Sequence, residues 1–266
     1  MNTMQTDIAP DDITSMRGVT GATFIVTGAA SGLGKATALV AARRGANVVA
    51  TDLNGESLAR MATEAKGGRI ATVPGNIADL GLHAELIRTA LERFGALDGL
   101  YHAAAMIERK YDIKAVEEAD WERHAQVNEK ATWFLTREVC ENMKERNAAG
   151  AIVLTASVGA FTGGLGGSWI YASTKGAVLT MVRSFARQYG PSGIRVNSIS
   201  PGPINTPMLF RDIKRELVEK MLDTMVALRR MGEPEEAART ILFLLSQEAS
   251  YVSGVTLDVD GGWLCR

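Results

Sequence analysis

Tyr171 and Lys175 stand four residues apart in the run YASTK, and side chains at that separation on a helix share one face. A phenol beside an ammonium is a unit for moving a proton. An unperturbed tyrosine, with a pKa of about 10, is a poor base at neutral pH, and a nearby positive charge favours its phenolate. Tyrosine and lysine also pair on plain helix surfaces, so the chemistry depends on what the rest of the chain brings to them. Ser157, at the end of the apolar run GAIVLTAS, carries a hydroxyl able to donate to a substrate oxygen; it can equally cap a turn.

The elements that must position these groups alternate. Strand patterns are read in TFIVTG, ANVVATD, RIATVPGN, LDGLYHAAA, GAIVLTAS, GIRVNSISPG and GVTLDVDGG. Helical patterns lie between them, in LGKATALVAARRG, GESLARMATEAKG and GLHAELIRTALERFG, over 120–146, in the run carrying Tyr171 and Lys175, and over 215–228 and 234–246. Strands alternating with helices predict a seven-stranded parallel sheet covered on both faces, the doubly wound α/β class of Rossmann type. Right-handed crossovers gather every strand C-terminus on one edge, where such sheets bind their ligands. The glycine turn after the first strand, Asp52, Ser157 and Pro201–Gly202 all follow strands directly, so all fall on that edge.

The turn TGAASGLG joins the first strand to the first helix, and its glycines are Gly28, Gly32 and Gly34. Glycines there let backbone N–H groups and a helix N-terminus face a pyrophosphate; they also suit any tight strand-to-helix turn. Asp52 ends the second strand, 18 residues after Gly34. A carboxylate at that place accepts hydrogen bonds from ribose hydroxyls and repels a 2′-phosphate, which favours NAD over NADP; capping a turn is its plainer use. Lys35 reads as a helix-surface lysine.

The bulk numbers narrow the classes. The chain has 266 residues, 46% of them apolar, with 29 Lys plus Arg against 30 Asp plus Glu. That balance gives no electrostatic reason for a nucleic acid or anionic membrane partner. The two cysteines, Cys140 and Cys265, have no metal-like spacing and fit a reducing cytoplasm. No apolar run is long enough to span a membrane. Residues 1–18 lack the pattern of a signal peptide and read as a loosely held extension, with one Rossmann-type domain over 19–266 and a substrate-covering segment at about 203–228.

Taken together, TGAASGLG, VNEKATWFLTR, LTASVG, YASTKG, RVNSISPGPINTPM and YVSGVTLDVDGG resemble, in order, the motifs of the short-chain dehydrogenase/reductase family in its single-domain branch. The likeness covers 21–262. It implies an NAD-dependent enzyme that transfers a hydride between the dinucleotide and a small secondary alcohol or ketone, in a homotetramer. It implies catalytic roles for Asn128, Ser157, Tyr171 and Lys175, with Asn128 holding a water behind Lys175. It implies cofactor contacts from Gly28, Ser31, Gly32, Leu33, Gly34, Asp52, Asn76, Ile77, Ala104, Tyr171, Lys175, Pro201, Gly202, Ile204 and Thr206. The alternatives are an NADPH-dependent biosynthetic ketone reductase and a catalytically silent nucleotide-binding module. Retention of both Tyr171 and Lys175 weighs against the latter.

Three departures from the family pattern stand out. HAAA (102–105) replaces the usual NNAG, so the strand tie normally made by the second asparagine is absent at Ala103 or made by another residue. His102 reads as a packed or solvated histidine rather than one facing the cofactor cleft. Asn76 stands where an aspartate is usual, and its side-chain oxygen can still accept from an adenine amine. Ser157 to Tyr171 is one residue longer than the commonest spacing, with Gly163, Gly164, Gly166 and Gly167 available to absorb it. For the substrate, Met208, Leu209 and Phe210 offer an apolar wall, Arg211 and Lys214 an anion contact or a solvated surface, and Phe161 and Trp169 a pocket lining or core packing.

Overall fold

The computed structural model describes residues 18–65, 69–213 and 215–266. The N-terminal extension before residue 18, the glycine stop expected at Gly67 and Lys214 lie outside the described residues.

Seven strands form one sheet: β1 (Thr23–Thr27), β2 (Asn47–Thr51), β3 (Arg69–Thr72), β4 (Gly99–His102), β5 (Gly150–Thr155), β6 (Ile194–Pro201) and β7 (Thr256–Val259). The order across the sheet is β3-β2-β1-β4-β5-β6-β7, and every pairing is parallel. The order reverses between β1 and β4. That leaves a crevice at their C-terminal ends, the place where doubly wound sheets take ligands. The strands read as unbroken apolar runs because both faces are covered; all five residues of β1 are buried.

On one face, α3 (Gly81–Phe94), α5 (Ala131–Glu145) and α7 (Trp169–Tyr189) bury Leu86, Leu135, Val139, Met143, Val182 and Phe185 against Leu100, Ile152 and Val196. On the other face, α1 (Gly32–Arg43), α2 (Gly55–Glu64) and α9 (Pro234–Leu245) bury Ala38, Leu58, Met61, Ile241 and Leu242 against Val26, Val48, Tyr101 and Val153. Each fully buried aliphatic side chain of this kind stabilises the fold by about 1.5–3 kcal/mol. The remaining helices are α4 (Glu118–His124), α6 (Gly159–Thr162) and α8 (Arg215–Met225).

The single helix expected over 120–146 is instead two α-helices, α4 and α5, joined by a π-helical stretch at Ala125–Lys130. The Ala131 N–H donates to the Gln126 carbonyl, five residues back. A π-turn widens the helix by one residue, a device often found at functional sites, and here Asn128 lies within it. The third strand stops before Pro74, which has no N–H to give the ladder; the edge continues only through Val73 N–H to Ala50 O and Gly75 N–H to Asp52 O.

Candidate active site

The turn between β1 and α1 has the shape its glycines imply. Gly28 adopts φ +64°, and a Cβ there would lie 2.9 Å from the Ala104 backbone nitrogen, so both conformation and space require glycine. A Cβ on Gly34 would collide with the Gly28 carbonyl oxygen. Gly34 thus lets α1 start hard against the turn. Ser31 caps α1 in extended conformation with its hydroxyl unused, and the first turn holds no acidic residue. A helix N-terminus left open and free of negative charge fits a phosphate group. Leu33 is partly buried under the turn. From the far side, the loop after β6 leans over it: a Cβ on Gly32 would lie 3.2 Å from Thr206 Cγ2. These residues fit a dinucleotide.

Asp52 follows β2 with one carboxylate oxygen accepting from Ala30 N–H (3.0 Å) and the other from Asn54 N–H (2.9 Å). It braces the glycine turn from outside and keeps free lone pairs toward the cleft. Lys35 is tied to Glu64 at 2.8 Å. Asn76 spends its side-chain oxygen on Ala78 N–H (3.0 Å), while Ile77 beside it is buried. Pro201 accepts from Val158 N–H through its carbonyl, Gly202 N–H donates to Val259 O, and buried Ile204 bridges to Gly232. These links set the β6 loop and the Ser157 loop side by side.

His102 is packed, 2% exposed, rather than solvated. Thr27 Oγ1 accepts from the backbone N–H groups of Ala103 (3.1 Å) and Ala104 (3.0 Å). Its own proton therefore goes to His102 Nδ1, 3.1 Å away. Thr132 Oγ1 donates to the Asn128 carbonyl (2.7 Å), so it accepts from His102 Nε2 at 3.0 Å. The two hydroxyls specify a neutral imidazole with its proton on Nε2. Burial, helped by the fields of Lys175 and His83, pushes its pKa down to about 3. This bridge from β1 to α5 supplies a tie that Ala103 cannot make.

Asn128 is fully buried, and its whole amide is engaged: Oδ1 accepts from Met106 N–H (2.9 Å), and Nδ2 donates to Met106 O (3.0 Å) and Thr174 Oγ1 (3.0 Å). The side chain joins the loop after β4 to α7, one residue before Lys175.

Ser157, Tyr171 and Lys175 come together at the C-terminal edge. Ser157 Oγ accepts from Gly159 N–H (3.0 Å), which leaves its proton available, and the hydroxyl stands close enough to the Tyr171 phenol to lower its pKa. Lys175 is 2% exposed, donates to Thr155 O (2.8 Å), and holds its Nζ 5.5 Å from the Tyr171 ring centroid. Burial is the largest influence on the pKa of both groups. Burial raises the Tyr171 pKa above its ordinary value, against smaller lowering effects from the Ser157 hydroxyl and the Arg109 charge. Burial also pulls the Lys175 ammonium down to about 7.

Arg109 has no reading in the sequence, although it follows the end of β4 by only seven residues on the edge where ligands bind. Its guanidinium reaches Arg211 O (3.1 Å), Leu165 O (3.2 Å) and Gly166 O (3.4 Å). Phe161 lies under the Arg266 guanidinium at 3.5 Å, and that arginine is also paired with Asp258 at 2.9 Å. Trp169 begins α7, partly buried. Met208, Leu209 and Phe210 are half-buried in turns ahead of α8, and Arg211 is exposed.

Residues 28–264 match the family model described as enoyl-(acyl carrier protein) reductase. The 3-oxoacyl-(acyl-carrier-protein) reductase FabG of Thermotoga maritima is 37% identical over 248 residues, covering 91% of this chain and 97% of the relative. The chain belongs to the short-chain dehydrogenase/reductase family. It is an oxidoreductase of that family, whose members bind a nicotinamide cofactor. Levodione reductase of Leifsonia aquatica is 31% identical, covering 90% of this chain and 92% of the relative. The crystal structure of a levodione reductase superimposes with a TM-score of 0.84 at 30% identity, over 91% of this chain and 97% of that one. A putative short-chain alcohol dehydrogenase from Sinorhizobium meliloti 1021 gives 0.87 at 29% identity, over 92% and 97%. These relatives of the family member are alcohol and ketone reductases and dehydrogenases.

Proposed function

We propose that this family member is an NAD-dependent alcohol dehydrogenase or ketone reductase acting on a small secondary alcohol or carbonyl compound. The observation that carries the reading is the Ser157–Tyr171 hydroxyl pair with buried Lys175 one helical turn on, at the C-terminal edge of the sheet. The bound nicotinamide supplies the hydride acceptor or donor. Gly28, Ser31, Gly32, Leu33 and Gly34 would hold its pyrophosphate, Asp52 the adenosine ribose, Asn76 and Ile77 the adenine. Ala104, Pro201, Gly202, Ile204 and Thr206 would flank the rest.

Tyr171 Oη moves the proton to and from the substrate oxygen. Ser157 Oγ donates to that oxygen and fixes it beside the phenol. Lys175 spends one N–H on Thr155 O and has two left, for the nicotinamide ribose and for a water. The Asn128 side chain is a positioning group. The Asn128 backbone carbonyl already takes the Thr132 proton and has a second lone pair for the water that passes the proton to solvent.

The domain reading is one Rossmann-type unit over 19–266, with 203–228 covering the substrate. A cytoplasmic location is supported by Cys140 and Cys265, both unpaired, and among the described residues no helix is long and apolar enough to cross a membrane. A homotetramer is supported by the outer face of α4 and α5, where Trp121 and Trp133 are 48% and 40% exposed beside Phe134 and Met181; sedimentation of a monomer at micromolar concentration would refute it.

Assay of the purified chain on a panel of secondary alcohols and ketones, with NAD(H) and NADP(H) in parallel, tests the reaction and the cofactor together. Turnover with a preference for NAD is expected. Asp52→Asn keeps an acceptor for the turn but removes the charge, so it should cut the NAD-over-NADP ratio of kcat/KM by about tenfold or more, the loss of one charge-assisted hydrogen bond plus the relief of repulsion. A wild type that prefers NADP overturns the cofactor assignment, and dinucleotide binding without turnover of any compound favours the silent module.

A further inference from the structure

We propose that Arg109 sets substrate specificity at this site, selecting compounds that carry a carboxylate or a similar small anion near the reacting alcohol or ketone carbon. The inference rests on reading Ser157, Tyr171 and Lys175 as the reacting centre. It is carried by how Arg109 is held and by what its charge lacks.

The residues on either side of Arg109 are clamped. Glu108 N–H donates to His124 Nε2 (3.2 Å), and the Glu108 carboxylate meets Arg123 at 2.8 Å. Lys110 N–H donates to Gly167 O (2.9 Å), and the Lys110 ammonium meets Asp120 at 3.2 Å. Three residues before Arg109, Asn128 grips both backbone groups of Met106. His124 takes part as a neutral ring, with Nδ1 donating to Asp120 O at 2.7 Å and Nε2 accepting. The Arg109 side chain is thus launched from a backbone that cannot swing.

The guanidinium lands where three segments meet: the loop after β4, the glycine loop that leads into α7, and the turn at Arg211. The glycine loop is itself pressed on the tyrosine helix, since a Cβ on Gly164 would lie 2.9 Å from Ala172 Cβ, next to Tyr171. Arg109 is only partly exposed and is close enough for its charge to act on the Tyr171 phenol. Its neighbours in space give it carbonyl oxygens only. Among the described residues no carboxylate pairs with it and its Nη2 has no hydrogen-bond partner, while Glu108 and Asp120 are already committed to Arg123 and Lys110. Asp212, on the adjoining turn, is exposed and acts on the guanidinium only from beyond ion-pair distance. A half-buried guanidinium whose one neighbouring carboxylate lies beyond ion-pair distance is completed by an anion, which the two N–H groups of Nη2 are left to hold.

The test is the ratio of kcat/KM for short keto acids over that for their matching methyl esters. Wild type should favour the acids at least tenfold. Arg109→Met should lower that ratio tenfold or more, and Arg109→Lys should keep most of it. A wild-type ratio near one, or a ratio that Arg109→Met leaves in place, overturns the proposal; equal losses on acid and ester mean that Arg109 only ties the loops together, and overturn it too. Should Arg109→Met fail to fold, calorimetry on the wild type decides. Butyrate should bind at least tenfold more tightly than butyramide, and equal binding overturns the proposal. If neither acids nor esters turn over with any dinucleotide, the dehydrogenase reading fails while the calorimetric comparison still decides the role of Arg109.

Discussion

The two ends of the cleft are built by different means. On the dinucleotide side, one run of eight residues, Thr27 to Gly34, makes the turn almost unaided: its glycines permit the backbone path, and Asp52 adds one brace. On the substrate side nothing is local. Tyr171 and Lys175 depend on Thr155, Ser157, Asn128 and Arg109, which come from β5, the π-helical stretch and the loop after β4. The first end is limited by steric fit, the second by the electrostatics of groups removed from water. A steric site is spoiled by adding one atom; an electrostatic site is spoiled by removing one.

The largest effect belongs to the substrate end. Tyr171→Phe deletes only the phenolic oxygen, so dinucleotide affinity should stay and kcat fall by about 10²–10⁴, the range for a lost acid–base group. Stopped-flow turnover and equilibrium cofactor titration on the same variant separate the two, and wild-type kcat would sink the mechanism. Gly34→Ala is the counterpart at the dinucleotide end. Its Cβ has only backbone to displace, so it should destabilise the protein by about 3 kcal/mol, as overpacking against a rigid neighbour does, and weaken dinucleotide binding as well. An unchanged denaturation midpoint with unchanged affinity would show that the turn gives way freely.

His102 lies between the two ends and bridges them. Replacing it by asparagine restores the residue usual in the family. Yet the shorter side chain cannot reach both Thr27 and Thr132, and one buried hydroxyl is left without a partner. His102→Asn should therefore destabilise by about 1–3 kcal/mol, read from denaturant unfolding; no loss would mean that the bridge is dispensable.

The smallest effect concerns Lys175 in the cofactor-free protein. Its folded pKa of about 7 lies below the ordinary value for lysine. Above pH 7 the unfolded chain holds more protons at this residue than the folded one does, so stability from this site rises with pH. The burial penalty is full below pH 7 and is relieved between pH 7 and the unfolded value. The slope is at most about 1.4 kcal/mol per pH unit. The difference in unfolding free energy between wild type and Lys175→Met, followed from pH 7 to 9, should grow by that sign; a flat difference would show that the lysine stays charged.

The amino-acid sequence determined the sheet, the strand sequence and the glycine turn, because apolar runs, punctuating glycines and a helix start are local properties that few alternatives satisfy. The family motifs also singled out Ser157, Tyr171 and Lys175, which the fold brings to one edge of the sheet. Tertiary structure alone decided three things. The helix expected over 120–146 opens into a π-turn at Ala125–Lys130, since Asn128 is held by Met106 and Thr174 from outside the helix and no periodicity records that pull. The protonation state of His102 follows from two threonines, 75 residues before it and 30 after it in the chain. The loss of water around Tyr171 and Lys175 also follows from the fold and not from their spacing. Spacing tells which charges are neighbours; only the fold tells how much water each has lost, and for buried Lys175 that loss holds its pKa well below the ordinary value.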